Sequence, residues 1–175
     1  MNPQVSVALG NHGSGEQCGR EIARSALAKM GGAPASFALL FASHPQPEQV
    51  LKGARSILSD IPLIGTTSVG EYSHEGYVED GAGLMLVRND RIQFHALSHQ
   101  KRLFRSGSLL GRLHGQTDAG LRSAYLHRTL MLFPDDASMN LNHLVDQAIQ
   151  ETAMLYNIIG GPGPSIPTPS RAPVL

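Results

Sequence analysis

The chain has 175 residues, a formal net charge of zero from 14 basic and 14 acidic side chains, one cysteine and no tryptophan. Hydrophobic residues make up 41% and charged residues 16%, too apolar and too lightly charged for an intrinsically disordered chain. Zero net charge disfavours nucleic acid, no apolar run reaches the roughly 20 residues that cross a bilayer, and one cysteine makes neither an internal disulfide nor a thiolate zinc cage. The N-terminal MNPQVSVALG lacks the basic and apolar regions of a secretory signal. These exclusions predict a cytoplasmic globular domain without membrane contact, metal or cofactor.

Residues 4–10 (QVSVALG) alternate Val5, Val7 and Leu9 on one face, the period of a half-buried strand. After the turn NHGSG, Ser14 stands three residues before Gln17, the spacing of a helix N-cap. Cys18, Ile22, Ala26, Leu27 and Met30 then share one helical stripe, which Gly31-Gly32 ends. The burial of Cys18 on that stripe makes it a small hydrophobe rather than a reactive thiol. ASFALLFA (35–42) is apolar almost throughout, which suits a strand covered on both faces.

Pro47 fits the first position of a second helix, with Val50, Leu51, Ala54, Ile57 and Leu58 as its stripe. Asp60-Ile61-Pro62 stops that helix, because the residue before proline avoids helical angles. PLIGTTS (62–68) is a third short strand. The order β-α-β-α-β predicts right-handed crossovers and a mainly parallel sheet. GAGLMLVR (81–88) and RIQFHAL (91–97), joined by Asn89-Asp90, read as a hairpin.

Four glycines between 101 and 127 limit helix there to Leu109–Leu113 and 118–126. TLMLF (129–133) is a strand. Ser138 would cap a helix striped by Leu141, Leu144, Val145, Ala148, Ile149 and Thr152, and YNIIGG (156–161) is a final strand. The closing fifteen residues, GPGPSIPTPSRAPVL, hold five prolines and predict an extended, solvated tail. The fold class expected is therefore α/β, layered, with a mixed and mainly parallel sheet, a β-hairpin extension and flanking helices.

The loop Gly65-Thr66-Thr67-Ser68-Val69-Gly70-Glu71 follows a buried strand, where open α/β sheets collect ligands. Glycines let a backbone approach a ligand, and hydroxyls both donate and accept. Ser68-Val69-Gly70 is also half of a G-x-S-x-G elbow, with Asp135, Asp136 and His143 following in a workable order. Thr66 stands where that elbow needs glycine, however, and no helical stripe follows. GNHGSG (10–15) is G-x-x-G-x-G rather than a dinucleotide fingerprint, and the eight histidines scatter without a metal motif.

FALLFAS (37–43), PLIGTTSVGEYSHEG (62–76), GAGLMLVRNDRIQFHAL, LMLFPDD (130–136) and YNIIGG (156–161), in that order, resemble the N-terminal part of the FIST domain. The resemblance covers most of residues 4–161. It implies a non-catalytic intracellular sensory module that binds a small molecule, an amino acid being the suggested class, and that works with a signalling output protein. The family's Gly-Cys-Ser/Thr loop falls on residues 65–71, with Thr66 where many members have cysteine. Its double glycine falls on Gly160-Gly161.

Family members usually continue beyond that double glycine, so the resemblance makes residues 1–161 a shortened domain and 162–175 its tail. The candidate ligand-binding residues are Gly65, Thr66, Thr67, Ser68, Gly70 and Glu71, with Ser43 and Asn11 from neighbouring strand ends. Glu71 would pair with a ligand ammonium, while amides and Thr67 or Ser68 hold a carboxylate. A Ser-dependent hydrolase and a ligand-free interaction module are the alternatives. A strand at 156–161 with an open outer edge would also favour self-association and poor solubility.

Overall fold

The computed structural model describes residues 3–96, 127–134, 141–152 and 154–164. These fall into two compact units. One holds the described residues up to Phe94 together with Gly163 and Pro164; the other holds those from His95 to Pro162. The expected helices within 101–127 and the cap at Ser138 lie outside the described residues.

In the first unit, β1 (Gln4–Gly10), α1 (Gly15–Lys29), β2 (Phe37–Ala42), α2 (Pro47–Leu58) and β3 (Leu63–Thr67) follow the predicted order. Ser14 caps α1, its hydroxyl accepting from the Gln17 amide, and Pro47 opens α2. A two-stranded ribbon follows, β4 (Glu71–Ser73) with β5 (Gly76–Val78), and then β6 (Ala82–Arg88).

The main sheet runs β1-β6-β2-β3. β2 pairs parallel with β3, whereas β6 pairs antiparallel with both β1 and β2. β1, β2 and β3 therefore point the same way, and β6 fills a slot left between β1 and β2. The fold is α/β with a mixed sheet, as the sequence predicts, but two of the main sheet's three pairings are antiparallel, because β6 enters between β1 and β2, so the sheet is not mainly parallel.

The hairpin lies elsewhere than predicted. Residues 91–96 are not a strand, and β6 takes β1 and β2 as partners instead. Central insertion covers both edges of an apolar strand, which one neighbour at 91–97 could not do. The hairpin forms at 71–78, a stretch to which the sequence pattern assigns no element. There Gly76, at φ +128°, permits the tight return after His74-Glu75.

The core lies between one sheet face and the two helices. Ala8, Ala38, Leu40, Ala42, Leu63, Ala82, Leu84 and Leu86 of the sheet meet Cys18, Ile22, Ala26, Val50, Ala54 and Leu58 of the helices. Glycines bring α1 and α2 together: a Cβ at Gly19 would collide with the Val50 carbonyl, and one at Gly53 with that of Glu16. β2 is buried on both faces, with Phe37 stacked on Phe94 at 4.6 Å beyond the sheet.

The second unit contains β7 (Thr129–Leu132), α3 (Leu141–Glu151) and β8 (Asn157–Gly160), with β7 and β8 parallel. Its described core is Leu130 and Ala148, flanked by Leu132, Tyr156 and Ile158. Gly160 sits at φ +133°, where a Cβ would collide with the Leu132 carbonyl, so the first glycine of the pair is dictated by strand contact.

Candidate functional site

β1, β2 and β3 end on the same side of the sheet, and β6 begins there. Three of the predicted residues meet at this end. Glu71 opens β4 and is 6% exposed. Its Oε1 accepts the Ser43 amide at 2.8 Å and the Ser68 hydroxyl, and its Oε2 accepts the Ser43 hydroxyl at 2.8 Å. One buried carboxylate thus gathers the ends of β2 and β3.

Gly81 completes the cluster and was not singled out from the sequence. Its amide donates to Ser43 Oγ at 3.1 Å, and its carbonyl accepts from the His44 amide at 2.8 Å. A Cβ on Gly81 would meet the Gly10 carbonyl at 2.5 Å and Asn11 Cβ at 2.8 Å, which puts Asn11 at the rim beside it. The signal available was positional, a glycine between the acidic Glu79-Asp80 and an apolar strand. His44 is buried as well; its Nδ1 accepts from the Gln46 amide at 2.9 Å, which leaves the ring proton on Nε2.

The remaining candidates play other parts. Gly65 faces Leu40 in the parallel ladder, where a Cβ would collide with the Leu40 carbonyl. The hydroxyls of Thr66 and Thr67 lie against Gly163, and Thr67 Oγ1 donates to the Pro164 carbonyl at 3.2 Å. The Ser68 amide donates to the Ala42 carbonyl at 3.1 Å. Gly70 lies under the Tyr77 phenol, whose oxygen a Cβ would meet at 2.5 Å. Ser68 leads into β4, so it stands on a strand–loop–strand passage and not on the strand–turn–helix of a nucleophile elbow.

The charge pattern follows from these contacts. Burial pushes the Cys18 thiol up to about 11, reinforced by the nearby charges of Glu21 and Glu71. Cys18 is 1% exposed and donates to the Gly10 carbonyl, the inert role predicted for it. On the ribbon, a hydrogen bond from Lys29 holds Glu75 below the usual carboxylate range, and hydrogen bonding to Glu79 raises Tyr77. Among the described residues no group of three or more His, Cys, Asp or Glu side chains is placed to hold a metal ion. No described helix is long and apolar enough to cross a membrane.

The Ser43 and Ser68 hydroxyls and the Ser43, Ser68 and Gly81 amides all donate within the protein, most of them to Glu71 or to Ser43 beside it. Glu71 already occupies three of these donors, so the cluster is preorganised around an internal anion. A family model described as FIST N domain matches residues 36–163, a span that runs from just before β2 through β8. No curated protein and no solved structure matches the chain.

Proposed function

Because the chain belongs to the FIST N domain family, whose members are sensory domains of signalling systems, we propose that it binds a small polar metabolite and does no chemistry on it. The place is the strand-end cluster of Ser43, Ser68, Glu71 and Gly81, with Asn11 at its rim and the 65–71 loop as its wall. The observation that carries this reading is that the family match spans both strands whose ends Glu71 ties together.

The ligand class is a zwitterion such as an amino acid. A carboxylate has about four acceptor positions, and Glu71 uses three of them within the protein. The fourth is left for a ligand ammonium, while the exposed Asn11 at the rim is the group placed to meet its carboxylate. Binding of this kind fits a cytoplasmic sensor that reports to a separate output protein.

A thermal-shift screen of the twenty amino acids and common metabolites tests the proposal. A specific ligand at 100 times its Kd adds about 2.7 kcal/mol of stability, and Ser43→Ala should remove that gain. Uniform silence across the screen would leave a ligand-free interaction module as the better reading. Ester hydrolysis that disappears in Ser68→Ala would replace the sensor with an enzyme.

A further inference from the structure

The β4–β5 ribbon carries a feature that ligand binding does not use. Tyr72 and Tyr77 are directly opposed across the ribbon, so their rings share one face, while Glu71 and Val78 share the other. Glu71 is buried and Val78 partly so, but Tyr72 is 86% exposed and Tyr77 55%. Val69, 81% exposed, precedes the glycine over which the Tyr77 phenol lies. A ribbon with one wet face ordinarily turns polar residues outward; here the outward face is aromatic.

The segment that forms this face carries acidic charge, and among the described residues Lys29 reaches it from α1 to pair with Glu75. No lysine or arginine occurs between Ser56 and Val87, whereas Glu71, Glu75, Glu79 and Asp80 lie in the ribbon or next to it. Glu71 is committed to Ser43 and Ser68, and Glu75 to Lys29. Glu79 and Asp80 remain exposed, and Glu79 accepts the Tyr77 hydroxyl at 2.7 Å.

We propose that the outward face of the β4–β5 ribbon docks a cationic peptide segment of a partner protein, one with arginine beside an apolar side chain. Ring faces carry negative quadrupole potential and attract guanidinium groups. Glu79 and Asp80 add charge complementarity, and Val69 receives the neighbouring apolar group. The same carboxylates repel phosphate backbones and anionic lipid. This docking stands apart from the proposed ligand cluster, whose groups lie on the opposite face of the ribbon.

Fluorescence anisotropy on the full chain tests it, with fluorescein-labelled Gly-Arg-Leu-Arg-Leu-Arg-Gly as probe and Gly-Glu-Leu-Glu-Leu-Glu-Gly as control. The arginine peptide binds and the glutamate peptide does not. Tyr72→Ala weakens binding roughly 3- to 5-fold, the range of one exposed cation–π contact, and leaves the melting temperature in place. Glu79→Gln weakens binding too and flattens its salt dependence. Because Tyr77 covers Gly70, the decisive variant is Tyr72→Ala. Equal binding of both peptides, no binding of the arginine peptide at millimolar concentration, or undiminished affinity in Tyr72→Ala would each overturn the proposal.

Discussion

The two faces of the β4–β5 ribbon are one residue apart in sequence and opposite in physical role. Inward, Glu71 is nearly sealed and gathers two strand ends through three hydrogen bonds. Outward, Tyr72 stands almost fully in water. A period-2 element separates them without any other device. The inward face sets stability and the geometry of the cluster, whereas the outward face is free to vary or to meet a partner.

The largest expected effect is at Glu71. Glu71→Ala leaves the Ser43 amide and two hydroxyls without their acceptor in a nearly closed site. We expect a loss of about 3 kcal/mol in urea unfolding, the scale of a broken buried polar network. A loss under about 0.5 kcal/mol would mean that the inward face does not organise the fold.

Next is a pH effect at Cys18, whose thiol is raised first by burial, then by Glu21 and least by Glu71. The folded thiol titrates at about 11 against an ordinary value of 9.0. A raised folded pKa gives stability that is complete below the unfolded value and lost as pH rises through the folded one. Stability should therefore fall between pH 9 and 11 by about 2 kcal/mol, each unit being worth about 1.4 kcal/mol. In Cys18→Ala that part of the decline should vanish. Glu71→Gln should lower the thiol pKa, and Tyr72→Ser should leave it alone.

Ser43→Ala should cost about 1.5 kcal/mol, because it removes one donor to Glu71 and the acceptor of the Gly81 amide. Tyr72→Ser closes the series, with a change within about 0.5 kcal/mol. A large destabilisation there would erase the contrast between the faces.

The sequence made the alternation of strands and helices readable because each helix carries its own stripe and stop. Ser14 and Pro47 capped and opened helices as their chemistry demands. The place of β6 was not readable in the same way. GAGLMLVR reads as a strand, but nothing local says that it enters between β1 and β2; that choice is made by non-local pairing. The 71–78 hairpin was hidden because its turn depends on one positive-φ glycine inside a run that alternates poorly.

The site was legible in part for the same reason. Ser43, Ser68 and Glu71 sit at strand ends, which spacing can locate, and they do converge. Their engagement with one another could not be foreseen, since hydrogen bonds between residues 28 positions apart have no sequence period. Gly81 carries no side-chain signal in the sequence, because its contribution is a backbone amide and carbonyl. Position alone places Thr66 and Thr67 with the loop, yet their hydroxyls lie against Gly163.

The most direct test of the account is amide NMR of the full chain titrated with a mixture of the twenty amino acids. The account predicts saturable shifts concentrated on the amides of Ser43, Ser68, Gly70 and Gly81, and their disappearance in Ser43→Ala. Amides of this cluster that stay fixed at millimolar concentration, or that move no more than those across the sheet, would contradict it.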